Sequence, residues 1–235
     1  METFVLEVPT KPVFPIFLDT GIVDDIRNRY DTGMIAGCTT NPTLIMKSGR
    51  TLQSVIEEIS SEFPLMESIS AEVVADDYRS MVRKGVDLYT ISEAVTIKLP
   101  CTQEGLKACS YLSALGKENG KQITTNVTLV FSVAQAIMAA KAGATYVSPF
   151  VGRVYDNSFD GVQLIQNISD TYKLHGINTK ILAASLRDVH SVSRCFMSGA
   201  DVVTIPPAVF DNMYNHVLTD KGLDIFNKDH EAQNQ

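Results

Sequence analysis

Eight short segments rich in β-branched residues recur along the chain, and stretches of helical periodicity separate them. They are PIFLDT (15–20), MIAGCTTN (34–41), SISAEVV (68–74), AVTIKLP (94–100), KQITTNVT (121–128), ATYVSPFV (144–151), TKILAAS (179–185) and ADVVTIP (200–206). Strands alternating with helices predict a parallel sheet with right-handed crossovers. Eight such units in 235 residues, 45% of them hydrophobic, fit an α/β fold with a single (β/α)8 TIM barrel spanning residues 1–235. Residues 1–14 form an extension ahead of the first strand, and 218–235 read as an extra C-terminal helix and tail. The alternative is an open doubly wound sheet. No GxGxxG follows the first strand and no GxxxxGK[ST] occurs, so its common nucleotide-binding forms lose support.

The helical segments carry their own signals. In TQEGLKACSYLSALGK, Leu106, Cys109, Leu112 and Leu115 fall on one face, with Thr102 placed to cap the helix. VFSVAQAIMAAKAGA reads as a helix closing on Gly143.

Composition narrows the function classes. The net charge is -7, with no basic run and no aromatic-basic interleaving, which points away from nucleic acid and anionic membranes. No apolar stretch approaches the roughly 18 residues of a membrane helix, and METFVLEVPTKP lacks the regions of a secretory signal. Cys38, Cys101, Cys109 and Cys195 are scattered without metal-ligand spacing, as expected of reduced thiols in a cytoplasmic protein.

In a barrel enzyme the chemistry gathers at the C-terminal ends of the strands. Lys121, Lys180 and Asp201 lie at strand starts. Asp19, Glu72 and Lys98 lie late in strands 1, 3 and 4, and Arg153 and Arg187 follow strands 6 and 7. Taken singly, Asp19 could cap the helix starting near Ile22, Glu72 and Lys98 could form a structural ion pair, and Arg187 could be a solvated loop charge. Their placement on one rim favours a site. If Val95, Ile97 and Leu99 face the helices, then Thr96, Lys98 and Pro100 face the barrel interior. Burial favours the neutral, nucleophilic lysine and nearby carboxylates favour the charged one, a combination suited to Schiff-base chemistry. TTNP (39–42), TNVT (125–128), Ser148 and Ser185 add hydroxyls and amides to the same rim, suited to a polyhydroxylated ligand.

These motifs together resemble the transaldolase family, and within it the small transaldolases and fructose-6-phosphate aldolase-like proteins. The matching stretches include FLDT, AGCTTNPTLIMKSGR, ISAEV, IKLP, TTNVTLVFSVAQAIMAAKAGATYVSPFVGR, ILAASLR, GADVVTIPP and LTDKGLDIF. The resemblance implies a metal-free class I aldol mechanism with no cofactor. Lys98 would form the Schiff base, Asp19 would act as acid/base at the C4 hydroxyl, and Glu72 would move protons with Thr128 holding a water. Asn41, Asn126 and Ser148 would hold hydroxyls of the dihydroxyacetone unit, Thr39 would join the substrate site, and Phe150 would wall the pocket. Arg153, Ser185 and Arg187 would bind the phosphate.

Aldolase-type members carry Gln and Tyr where this chain has Glu72 and Phe150. The resemblance therefore implies transfer of a dihydroxyacetone unit from sedoheptulose 7-phosphate or fructose 6-phosphate to an aldose phosphate, in the pentose phosphate pathway. The alternatives are an aldolase releasing dihydroxyacetone and a silent sugar-phosphate-binding barrel. The last is disfavoured because the lysine and both carboxylates are present. The resemblance also implies a homo-oligomer, a pentamer or decamer, with the C-terminal helix reaching a neighbour. HVLTD (216–220) departs from the usual HPLTD.

Overall fold

The structure, a computed structural model, describes residues 13–118 and 123–233. Among them eight parallel strands close into a barrel in sequence order: β1 (Ile16–Asp19), β2 (Ile35–Thr39), β3 (Ser68–Glu72), β4 (Val95–Pro100), β5 (Thr125–Val130), β6 (Tyr146–Pro149), β7 (Lys180–Ala183) and β8 (Val202–Ile205). The barrel predicted from the sequence is therefore the observed fold. The helices are α1 (Val23–Tyr30), α2 (Pro42–Ser48), α3 (Leu52–Glu62), α4 (Tyr78–Tyr89), α5 (Gln103–Glu118), α6 (Val133–Lys141), α7 (Val151–Asp156), α8 (Gly161–Leu174), α9 (Val189–Met197), α10 (Pro207–Asn212) and α11 (Val217–Gln233). The C-terminal helix expected from residue 218 is α11. No helix among the described residues is long and apolar enough to cross a membrane.

Local chemistry starts the helices where the sequence suggests. Asn41, Thr51, Asp77, Ser132, Asp160 and Asp188 each accept a hydrogen bond from a backbone N–H in the first turn of the helix that follows. Such caps contribute roughly 1 kcal/mol each. Thr102 accepts from the Gly105 N–H at 3.1 Å, and α6 ends before Gly143 at φ +81°.

β5 departs from the segment expected for it at both ends. Lys121 and Gln122 lie outside the described residues, Ile123 and Thr124 precede the ladder, and β5 runs on to Val130. A register shift between Val127 and Val130, with Leu129 at φ +59°, carries the strand past its β-branched run.

Alternation sorts the strand residues onto two faces. Val95, Ile97 and Leu99 belong to the shell between sheet and helices. Inside, Phe17, Tyr146, Leu182 and Val202 form an apolar plug. Gly37 is required beside it, because a Cβ there would stand 2.4 Å from the Ser68 carbonyl oxygen and 2.9 Å from the Phe17 ring. At the level of the plug Ser68, in register with Gly37 and through it Phe17, bonds Thr96 at 2.7 Å; further along the strands Asn126 links Ser70 at 3.2 Å to Ser148 at 2.7 Å. Plug and polar network are the floor on which the charged rim stands.

Candidate active site

Lys98 lies near the end of β4, in register with Glu72 on β3 and Asn126 on β5. It points inward, as alternation predicts, and is 4% exposed. Its Nζ donates to Glu72 Oε2 at 2.9 Å and to the Thr40 carbonyl at 3.0 Å. Desolvating two charges consumes most of their mutual attraction, so a buried ion pair adds little net stability. Stability alone therefore does not account for an amine held here.

Asp19 ends β1 and is only partly exposed. It caps no helix: α1 has Ile22 at its N-cap with no side-chain cap, and the Ile22 N–H donates to Thr20 Oγ1. The Asp19 Oδ1 accepts from Thr39 Oγ1 at 2.8 Å. Desolvation pushes its carboxyl above the usual aspartate range and Glu72 adds to this, while the Lys98 charge and the Thr39 bond oppose it without prevailing. A carboxyl tuned upward is better matched to proton exchange near neutral pH.

Asp19, Thr39, Asn41, Lys98, Ser148, Phe150, Arg153 and Ser185 line one cavity of about 460 Å³, counting its open mouth, together with Ala184 and Thr204. Glu72, Thr128, Asn126 and Arg187 stand outside that lining. Glu72 approaches Lys98 from beside it. Asn126 lies fully buried beneath Ser148 and fixes its hydroxyl as a donor. Thr128 Oγ1 is buried and finds no hydrogen-bond partner among the described residues. Asn41 engages its oxygen in capping α2 at 3.0 Å, which leaves its amide N–H groups for a ligand. The Thr39 hydroxyl is engaged by Asp19 and by Thr204.

The cationic side of the cavity is built by α7. Its first N–H groups bond the carbonyls of Ala184 and Ser185 at 3.0 and 3.1 Å, so Arg153 and Ser185 share one wall. Gly152 permits the approach: a Cβ there would stand 2.1 Å from the Ser185 oxygen. Ser185 itself sits at φ +61°. Arg153 lies 5.1 Å from the Phe150 ring centroid. Arg187 turns aside, forming a two-pronged bridge to Asp156 at 2.6 and 2.5 Å, and holds that carboxyl below its ordinary range.

The sequence profile of the family described as Transaldolase/Fructose-6-phosphate aldolase matches residues 16–235. A probable transaldolase of Paracoccus denitrificans (strain Pd 1222) is 50% identical over 215 residues, covering 91% of this chain and 94% of that one. A probable transaldolase of Caulobacter sp. (strain K31) is 50% identical over 214 residues, covering 91% and 95%. The chain belongs to the transaldolase/fructose-6-phosphate aldolase family. Among solved structures, 2,3-dimethylmalate lyase superposes with a TM-score of 0.59 over 92% of this chain and 83% of that one. At 13% identity that likeness shows the barrel alone.

Within this transaldolase/aldolase barrel, Thr204 and Ala184 are cavity residues that sequence reasoning missed. A count of ionisable groups passes over both. Thr204 had a legible signal, since it is a hydroxyl at an inward position late in β8, between outward Val203 and Ile205.

Proposed function

We propose that the protein is a transaldolase, carrying a dihydroxyacetone unit from a ketose phosphate to an aldose phosphate through an imine on Lys98. The observation that carries this reading is a buried amine 2.9 Å from Glu72, sharing a cavity with the Asp19 carboxyl, which desolvation pushes above its ordinary range. Lys98 passes a proton to Glu72, 2.9 Å away, and adds as the free amine to the C2 carbonyl. Glu72 shuttles the protons that convert the carbinolamine to an imine and a water, and the Thr128 hydroxyl holds that water. Asp19 takes the C4 hydroxyl proton as the C3–C4 bond breaks, and the bond's electron pair flows into the protonated imine to give an enamine. Attack of the enamine on an aldose carbonyl, with Asp19 returning its proton, runs the step in reverse. Hydrolysis then frees Lys98. Ser148 and Asn41 face the hydroxyls of the three-carbon unit.

Glu72 and Phe150 favour transfer over release. Phe150 lies beside the reacting unit and packs against Phe131 at 5.9 Å between centroids. It has no hydroxyl with which to deliver a proton to the enamine carbon, so the enamine survives until an aldose arrives. The test is fructose 6-phosphate cleavage with and without erythrose 4-phosphate. Turnover is expected to depend on the acceptor; equal rates without it would favour an aldolase.

Arg153, Ser185 and Arg187 receive the phosphate, with Arg187 exchanging its Asp156 partner for the substrate. Hydrogen bonds to charged groups are worth about 1.5–3 kcal/mol, so Arg187→Ala raises the KM for a ketose phosphate on the order of tenfold or more. Imine formation with unphosphorylated dihydroxyacetone should stay near wild type. Equal losses on both substrates would remove Arg187 from the phosphate site.

The same reading places the enzyme in the cytoplasm, in the non-oxidative pentose phosphate pathway, as a homo-oligomer. α11 supports the oligomer: it buries no residue and exposes Val217, Leu218, Leu223, Ile225 and Phe226, the last at 70%. A neighbouring copy is the occupant that fits this face.

A further inference from the structure

Thr204 reaches from β8 past β1 to Thr39 on β2, with 2.6 Å between the two Oγ1 atoms. Thr39 Oγ1 in turn lies 2.8 Å from Asp19 Oδ1. Both threonines are largely buried, at 3% and 1% exposure, where they line the cavity beside Asp19. A threonine hydroxyl has one proton to donate, and a carboxylate only accepts. With Asp19 ionised, the Thr39 proton is committed to Oδ1, and Thr204 must therefore be the donor in the bond to Thr39. The direction of the whole chain follows: Thr204 to Thr39 to Asp19.

We propose that Thr204 is a positioning residue that orients Thr39 and through it fixes which oxygen of Asp19 exchanges protons with substrate. Oδ1 is held by Thr39 in both protonation states, as an acceptor each time. The proton taken from the sugar hydroxyl therefore resides on Oδ2, and the carboxyl need not rotate between accepting and returning it. Without the Thr204 donor, the Thr39 hydroxyl is free to turn from Asp19, and the carboxyl loses its fixed orientation toward the cavity. The charged groups acting on Asp19 are Lys98 and Glu72; their hydrogen bonds run to each other and to the Thr40 carbonyl rather than to Thr204, so the effect is separable from theirs.

This inference rests on the Schiff-base reading above, and its test separates the two. Thr204→Val keeps the side-chain shape and removes the donor; Thr204→Ser keeps the donor. A positioned acid/base contributes roughly a hundred- to ten-thousand-fold, and loosening it by one hydroxyl is expected to lower kcat for ketose phosphate cleavage about tenfold. KM should stay within about twofold, and the acidic limb of the pH profile should move upward as Asp19 loses its donor. Thr204→Ser should restore most of the activity and the wild-type profile. Borohydride trapping of dihydroxyacetone on Lys98 involves no C4 proton, so Thr204→Val should trap like wild type. Unchanged kcat and pH profile in Thr204→Val would overturn the proposal. Trapping that falls in step with kcat, or Thr204→Ser as poor as Thr204→Val, would overturn it in favour of packing. Wild-type protein that traps nothing would overturn the Schiff-base reading and this one with it.

Discussion

Lys98→Ala is expected to lose turnover by roughly ten-thousand-fold or more, because the variant has no group to make the imine that accepts the C3–C4 electron pair. The protein incubated with fructose 6-phosphate and borohydride should gain one reduced three-carbon adduct by intact mass, mapped to the peptide carrying Lys98. Lys98→Ala should gain none. A fold artefact is controlled by Lys98→Met, which fills the same space without the amine. Removing Lys98 leaves Glu72 unpaired and partly buried, so both variants should be checked for a cooperative thermal transition first. An adduct that persists in either variant would place the imine on another lysine and sink the mechanism.

Asp19→Asn should lower ketose phosphate cleavage by roughly a hundred- to ten-thousand-fold, since no base remains at the C4 hydroxyl. Dihydroxyacetone trapping should survive, which divides the two steps between two residues. Parallel loss of trapping and cleavage would deny Asp19 its separate role. The same variant should be more stable than wild type at neutral pH. The Asp19 carboxyl is raised in the folded protein above the ordinary 3.8, so holding it ionised destabilises the fold at every pH above its raised value. Asparagine removes that penalty. The gain in Tm should therefore be full at neutral and mildly alkaline pH and fade as the pH falls through the raised value toward 3.8. A Tm at pH 8 no higher than wild type would show that burial does not destabilise the ionised carboxyl.

The barrel was legible because its strands announce themselves twice, by β-branched composition and by alternation. Alternation alone put Lys98 inside and Ile97 outside, and the structure agrees. Three things were less legible. The limits of β5 depend on a register shift and a left-handed Leu129, which strand composition does not encode. The position of Arg187 follows from Asp156, thirty-one residues away in sequence and brought near only when α7 packs on the end of β7. The direction of the Thr39 hydroxyl was not legible, because a hydroxyl at a strand end has no direction in a sequence. Its engagement by Asp19 and Thr204 comes from three adjacent strands in register.

The exposed C-terminal helix has a consequence for dynamics. A single helix of 17 residues held by its own hydrogen bonds is marginal in water, and α11 has Gly222 in its interior. Its backbone amides should exchange with deuterium almost freely in dilute protein, while the strands exchange only on global opening. If neighbouring copies cover this helix, its amides become protected as concentration rises and the barrel's rates stay constant. α11 is then a built-in gauge of assembly, read by hydrogen exchange at a few protein concentrations. Rates that ignore concentration throughout the micromolar range would show that no second copy covers it.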